Sequence, residues 1–119
     1  MKRATEHSCG YDITSAETYV LGPGERRAFS TGLFLELPDG VCGILKSRSS
    51  LALLGLDVCG GVIDSDYRGE IRVILHNTSR VEYIVSSGQR IAQMIVLKYE
   101  TLGDSVDTKR NGGFGSTGL

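Results

Sequence analysis

GVIDSDYRGEIRVIL, residues 61–75, decides the fold class of this chain. Its polar centre, Ser65 to Gly69, has the composition of a turn. Beyond the turn, Ile71, Val73 and Leu75 alternate with other side chains, and a period of two is that of a strand with one buried face. We therefore expect a hairpin-like turn followed by a half-buried strand.

The same pattern continues on both sides of this stretch. Leu33, Leu35 and Leu37 alternate, the run 94–97 predicts a strand covered on both faces, and only residues 49–55 favour a helical turn or two. Many short strands with glycine-rich corners predict an all-β domain, built as a sandwich, a jelly roll or a barrel. Further turn signals are Gly22-Pro23-Gly24, Pro38-Asp39-Gly40 and Ser86-Ser87-Gly88.

Composition limits the partners of the domain. The chain has 119 residues and a net charge of −1, so it holds one core and no overall positive field that would attract nucleic acid or anionic lipid. Its apolar runs are too short to span a bilayer, and no secretory signal precedes them. Three cysteines without CxxC spacing favour small buried side chains in a reducing compartment. We expect a soluble intracellular protein, cytoplasmic or nuclear, with neither a nucleic-acid nor a membrane partner.

The last seventeen residues differ from the rest. They contain five glycines and three apolar side chains, too few to hold a folded segment together. Two interpretations are open: a frayed terminus, or a flexible arm in which Phe114 covers a planar ligand. We accordingly divide the chain into a domain of residues 1–102 and a C-terminal arm of residues 103–119.

Common nucleotide and catalytic motifs can be set aside. Residues 113–118 match GxGxxG, but a single residue follows them, so no helix can direct its N-terminus at a phosphate. The chain has no GxxxxGK[ST] and no GxSxG. His7 and His76 lack the spacing of a metal pair and are expected on the surface or in a strand.

Five separated segments carry the functional signal. The segments are Gly10-Tyr11-Asp12, Ser47-Arg48-Ser49-Ser50-Leu51-Ala52, Gly61 to Gly69, Gly88-Gln89-Arg90-Ile91-Ala92-Gln93, and Gly112 to Gly118. In this order and spacing they resemble the five motifs of the trimeric dUTPase family, over about residues 8–118.

This resemblance implies a fold and a reaction. The family folds as a jelly-roll-like β-barrel and forms homotrimers whose three active sites are shared between subunits. Its members hydrolyse dUTP to dUMP and pyrophosphate by attack of water on the α-phosphorus, which lowers dUTP and supplies dUMP for dTMP synthesis. Under this resemblance the glycine-rich tail is the arm that closes over the nucleotide.

The third segment is expected to hold the nucleoside and the water. By resemblance, Asp64 is the catalytic carboxylate that activates the attacking water, since an ionised carboxylate can accept a proton at neutral pH. The ring of Tyr67 lies under the deoxyribose and excludes a 2′-hydroxyl. The backbone of Gly61, Val62 and Ile63 reads uracil, which requires close approach and explains the glycine.

The remaining motifs are expected to hold the phosphates and a magnesium ion. Arginine can grip phosphate through two nitrogens, and hydroxyl groups donate to phosphate oxygens. Asp12 is expected to hold Mg²⁺ through its water shell, because this ion tends to keep its waters. The resemblance assigns substrate binding to Arg48, Ser49, Ser50, Gln93, Arg110, Phe114, Gly115, Ser116 and Thr117, with Phe114 stacked on uracil.

The chain departs from the family pattern in three places. The usual Pro-Arg-Ser-Gly appears as Ser47-Arg48-Ser49-Ser50, and the segment before the first motif is short. The usual arginine five residues before the stacking aromatic is Lys109, with Arg110 one residue closer. We favour Arg110 in that role, with a one-residue deletion, and lysine remains the alternative.

Two other functions compete with dUTP hydrolysis. The related dCTP deaminase shares the fold, and SRSSLALLGL at residues 47–56 resembles its corresponding segment. That enzyme needs a glutamate at the position that Ile74 occupies, which disfavours it. A regulatory or binding module that has lost catalysis would show erosion of Asp64, Tyr67 or the tail, and all three are present.

Overall fold

A computed structural model describes residues 1–103 of the chain. Over that range the chain forms ten strands and one short helix. The strands are β1 (Lys2–Arg3), β2 (Tyr11–Thr14), β3 (Tyr19–Leu21), β4 (Arg26–Phe34), β5 (Val41–Lys46), β6 (Leu56–Cys59), β7 (Val62–Ile63), β8 (Glu70–Asn77), β9 (Tyr83–Val85) and β10 (Arg90–Lys98), and the helix is α1 (Ser49–Leu53). The predicted all-β class and the helical turn at residues 49–55 are both confirmed.

The strands form three sheets. Sheet A has the order β1-β2-β10-β5-β7, sheet B pairs β3 with β9, and sheet C has the order β4-β8-β6. Within residues 1–103 these sheets do not join into a closed ring of paired strands, so the predicted closed barrel is not found. Neither edge strand of sheet A, β1 or β7, pairs with a strand of another sheet.

One hydrophobic core lies between the sheets. Strand β8 alternates buried and half-buried residues along its whole length, which confirms the predicted alternation of Ile71, Val73 and Leu75. Phe29 of β4 is opposite Val73 and is fully buried, and Met94 of sheet A is also fully buried. The core thus takes side chains from both large sheets, as a layered β-fold requires.

Four predictions about local structure need correction. Leu33, Leu35 and Leu37 all pack against the core as their alternation predicts, but β4 ends at Phe34, so Leu35 and Leu37 lie outside the strand. Strand β10 is not covered on both faces in the single chain, where Val96 and Leu97 are 39% and 44% exposed. Cys9 is exposed and the other two cysteines are half-buried rather than buried.

The fourth correction concerns the turn in residues 64–69. Strand β7 before it pairs with β5 of sheet A, whereas β8 after it pairs with β4 and β6 of sheet C. The segment is therefore a corner between two sheets and not a hairpin. Turn composition identifies where a chain reverses, but long-range strand pairing decides which partner each flanking strand finds.

Candidate active site

A cleft of about 300 Å³ opens beside the middle of sheet A. Its lining consists of Asp12, Arg48, Ser49, Ser50 and Gln93, all five predicted as site residues. The register explains their meeting, because Gln93 of β10 is opposite both Asp12 of β2 and Lys46 of β5. Directly paired residues project from the same face of a sheet, so the side chains of Asp12 and Gln93 both face the cleft.

The side chain of Gln93 is fixed at both ends of its amide. Its Nε2 donates to the carbonyl oxygen of Ser47 at 3.1 Å. Its Oε1 lies against Gly10, where an added Cβ would come within 2.4 Å of that oxygen. Glycine at position 10 therefore leaves the space that the glutamine amide occupies.

Arg48 lies where the chain leaves β5 and enters α1. Its backbone is extended, with φ −80° and ψ 137°, and its carbonyl accepts the amide hydrogens of Leu51 and Ala52 at 3.1 and 2.9 Å. Ser49 and Ser50 follow in the first turn of the helix and are exposed, while Leu51 is buried. The buried leucine holds the turn to the core and leaves both hydroxyl groups toward the cleft.

Asp12 supplies the acidic group of the cleft. Its carboxylate lies 3.7 Å from a guanidinium nitrogen of Arg90, whose side chain is 54% exposed. Within residues 1–103 no three histidine, cysteine or acidic side chains cluster as a ready-made metal cage. This single carboxylate suits an ion that keeps its water shell and takes its other ligands from phosphate, as Mg²⁺ does.

The corner after β7 holds Asp64 and Tyr67 in a tight turn. The amide of Tyr67 donates to the carbonyl of Asp64 at 3.1 Å. Arg68 closes the turn through its Nη1, which donates to the carbonyl of Ser65 at 2.7 Å and to that of Tyr67 at 3.2 Å. The hydroxyl of Tyr67 donates to the carbonyl of Glu70 at 2.6 Å, which fixes the position of the ring.

Gly61 brings the chain close to β5 just before this corner. Its φ is +99°, and an added Cβ would lie 2.9 Å from the carbonyl oxygen of Leu45. The amide of Leu45 donates to the carbonyl of Gly61 at 2.8 Å. Both the conformation and the contact require glycine. Beyond it Val62 is 66% exposed and Ile63 is buried.

Two groups of predicted site residues lie apart on the same chain. Ile63 is opposite Gly43, whereas Gln93 lies two strands away opposite Lys46. At about 3.3 Å per residue and 4.8 Å between strands, their backbones are roughly 14 Å apart. Asp64 lies one residue further still. The cleft group and the Asp64 turn therefore lie apart within the single chain. Arg110, Phe114, Gly115, Ser116 and Thr117 lie outside the described residues.

Two residues of the site region were not predicted. Ser47 bonds through its carbonyl to Gln93, and through its hydroxyl to the amide of Val58 at 2.9 Å. Tyr99 contacts the Asp64 turn, since its hydroxyl lies 3.1 Å from that of Ser65. The replacement of proline by Ser47 was visible in the sequence, but Tyr99 gives no signal there because its partner is 34 residues away.

Comparison with known proteins identifies the family of the chain. The family model described as dUTPase matches residues 1–118. The deoxyuridine 5′-triphosphate nucleotidohydrolase of Paramecium bursaria Chlorella virus 1 is 47% identical over 124 residues, covering 98% of this chain and 88% of that protein. The Variola virus enzyme of the same name is 43% identical over 123 residues, covering 98% and 84%.

A solved structure shares the fold as well. A mutant dUTPase from phage phi11 of S. aureus, described as coordinating a structural Mg(II) ion, superposes with a TM-score of 0.82. It is 25% identical in sequence, and the match covers 89% of this chain and 87% of that one. The motifs, the fold and the relatives agree, and this chain belongs to the dUTPase family.

Proposed function

We propose that the chain is a dUTP diphosphatase, which hydrolyses dUTP to dUMP and pyrophosphate. The observation that carries this proposal is the meeting of Arg48, Ser49, Ser50 and Gln93 around one cleft, in a chain that is 47% identical to a named dUTP nucleotidohydrolase. The reaction lowers dUTP and supplies dUMP for dTMP synthesis. We expect it inside the cell, consistent with three free cysteines. No helix within residues 1–103 is long and apolar enough to cross a membrane.

Asp64 acts as the general base of the proposed reaction. Its carboxylate orients a water molecule toward the α-phosphorus and accepts a proton as the new P–O bond forms. The bond between the α-phosphorus and the bridging oxygen breaks, and pyrophosphate leaves. The turn that holds Asp64 is closed by Arg68 and by the Tyr67 amide, which restrains the backbone that carries the carboxylate.

The cleft holds the triphosphate. Arg48 binds phosphate oxygens through its guanidinium, and Ser49, Ser50 and the Gln93 amide donate to others. Asp12 is placed to hold Mg²⁺ through water, and the ion would neutralise charge that develops on the phosphates. Arg90, 3.7 Å from the Asp12 carboxylate, balances part of its charge.

The corner after β7 selects the nucleoside. Main-chain groups of Gly61, Val62 and Ile63 read the edge of uracil, and the ring of Tyr67 lies against the deoxyribose. The ring of Tyr67 packs against the hydrophobic core, which supports this role because a ring held by packing cannot move aside for a 2′-hydroxyl.

A complete site requires more than one copy of the chain. The roughly 14 Å between Ile63 and Gln93 supports a homotrimer in which the cleft of one subunit faces the Asp64 turn of a neighbour. Val62, exposed at the edge of sheet A, and Val96 and Leu97 of β10 supply apolar surface for such contacts. The arm of residues 103–119 supplies Phe114, Gly115, Ser116, Thr117 and Arg110, with Lys109 the alternative to Arg110.

Two experiments test the reaction and the shared site. Pyrophosphate release should be measured from dUTP, dCTP, dTTP and UTP with magnesium, beside light scattering for the mass in solution. Turnover of dUTP by a trimer supports the proposal, and absence of dUTP hydrolysis overturns it.

A chain truncated before residue 108 should then be mixed with an Asp64→Asn chain. Renewed activity supports shared sites, whereas two inactive parents that stay inactive after verified subunit exchange refute them.

A further inference from the structure

Ser47 joins three strands that belong to two different sheets. It follows the last residue of β5, its hydroxyl accepts the amide hydrogen of Val58 on β6, and its carbonyl accepts the side-chain amide of Gln93 on β10. The two distances are 2.9 and 3.1 Å, both normal hydrogen bonds. Sheets A and C are therefore tied together at the wall of the cleft by one small side chain.

The bond to Val58 uses an otherwise open strand edge. Strand β6 is the edge of sheet C and pairs on one side with β8, where Val58 is opposite Leu75. The Val58 amide turns instead toward Ser47. Losing the hydroxyl would remove the protein partner of this amide and the side-chain bond that ties the segment to β6.

Ser47 fixes two residues whose side chains line the cleft, Arg48 and Gln93. The next residue is Arg48, so the hydroxyl anchor sets where the arginine leaves β5. The carbonyl of Ser47 holds the side-chain amide of Gln93, and Gly10 lies on the other side of that amide. A rigid wall matters here because displacement of a binding group by about 1 Å can cost two orders of magnitude in rate.

We propose that Ser47 is a positioning residue for the triphosphate. Its hydroxyl and carbonyl hold Arg48 and Gln93 at one spacing, so that both reach the phosphates without rearrangement. This inference rests on the proposed function of the cleft. The dUTPase motif usually has proline at this position, which offers no side-chain oxygen to β6. The serine therefore gives this chain a different way to fix the same segment.

The test separates the phosphate end from the nucleoside end of the substrate. Calorimetry with magnesium and two probes, pyrophosphate and deoxyuridine, should be run on wild type, Ser47→Ala, Ser47→Cys and Ser47→Thr. We expect Ser47→Ala and Ser47→Cys to bind pyrophosphate roughly 10-fold more weakly and deoxyuridine as wild type does. The kcat/KM for dUTP should fall by a similar factor. Threonine keeps the hydroxyl and suits an extended backbone, so Ser47→Thr should stay within about twofold of wild type.

Ser79→Ala is the matched control. The Ser79 hydroxyl also accepts a backbone amide hydrogen, that of Val81 at 3.3 Å, but in the loop after β8 and away from the cleft. Its loss should leave both probes unchanged.

Wild-type pyrophosphate affinity in Ser47→Ala or Ser47→Cys overturns the inference, as does equal weakening of both probes. The cysteine variant preserves side-chain size and keeps the test open if alanine prevents folding. A wild type that does not hydrolyse dUTP refutes the proposed function. An active wild type with an unaltered Ser47→Cys variant refutes the role of Ser47 alone.

Discussion

The hydroxyl oxygens of Ser65 and Tyr99 lie 3.1 Å apart, joining the Asp64 turn to the chain just after β10. The amide of Tyr99 also donates to the carbonyl of Gly40 at 3.0 Å, so the tyrosine is anchored by its own backbone. An anchored partner restrains the turn more firmly than a mobile side chain would, because less entropy is lost on forming the bond.

We therefore expect Tyr99→Phe and Ser65→Ala each to lower kcat for dUTP about 2- to 10-fold, the range of one net hydrogen bond. Each change breaks the same bond, so the double variant should be no worse than either single one. Initial rates of the three variants measure this coupling. Fully additive losses would show that the two hydroxyl groups act independently.

Replacement of the proposed base should separate catalysis from binding. Asp64→Asn keeps the size of the side chain but is a poor proton acceptor, and we expect kcat to fall about 10²–10⁴-fold with KM for dUTP little changed. Asp57→Asn, an exposed carboxylate on β6, is the control. More than about a third of wild-type kcat in Asp64→Asn would assign the base to another group.

Discrimination against ribonucleotides should depend on the ring of Tyr67 and not on its hydroxyl. Tyr67→Ala should narrow the ratio of kcat/KM for dUTP over UTP by roughly 5- to 150-fold, because a ribose hydroxyl would no longer be desolvated against the ring. Tyr67→Phe removes the bond to Glu70 but keeps the ring, and should retain most of the preference. An unchanged ratio in Tyr67→Ala would mean that another group senses the sugar.

Acid should destabilise the fold through glutamates remote from the cleft. The Arg27 guanidinium donates to Glu17 at 2.5 Å and lowers the pKa of that carboxyl below its usual 4.5. Hydrogen bonds from Ser30 and Tyr19 lower the pKa of Glu70 and Glu25 in the same way. A carboxyl whose pKa is lower in the folded than in the unfolded protein stabilises the fold at pH values above its unfolded-state pKa. This stabilisation is lost as the pH falls through the folded-state pKa.

Glu17→Gln should consequently melt at a lower temperature than wild type near pH 7, and the difference should shrink below about pH 4.5. Melting curves across that range measure the effect. If the difference in Tm did not depend on pH, the lost stability would come from packing against Arg27 and not from the charge of Glu17. The guanidinium carbon of Arg27 also lies 3.9 Å from the centroid of the Tyr19 ring.

Removal of the proposed arm should impair turnover more than folding. Deleting residues 108–119 removes Arg110, Phe114, Ser116 and Thr117. We expect kcat to fall sharply, while the number of subunits in the assembly and its Tm stay close to those of the full chain. Residues 1–103 form a hydrophobic core among themselves. Stacking on a base contributes about 1–3 kcal/mol, so closure also needs the phosphate contacts. Full activity of the truncated trimer would contradict the assignment of the arm.

Local patterns predicted the strands better than they predicted the connections between them, while the cleft residues were assigned by the resemblance to the family motifs. The alternation of Ile71, Val73 and Leu75 depends on neighbours in sequence, and the structure confirms it. The corner after β7 depends on which sheet each flanking strand joins, and its composition is the same for a corner as for a hairpin. The exposed Val96 and Leu97 were predicted as buried because apolarity does not distinguish a core from a contact surface.

Strand β5 pairs with β7 at its middle, through Gly43 and Ile44, and with β10 along its whole length. Under the shared-site proposal, β5 sets the distance between two half-sites of one subunit, and these two half-sites bind different nucleotides. A defect in the Asp64 turn alone spoils one site for each faulty subunit in a mixed trimer. A change that shifts β5 displaces both half-sites and spoils two. Co-expressed with a normal chain, a variant of this strand should therefore remove more activity than its share of subunits, whereas an Asp64 variant should remove activity only in proportion to its share.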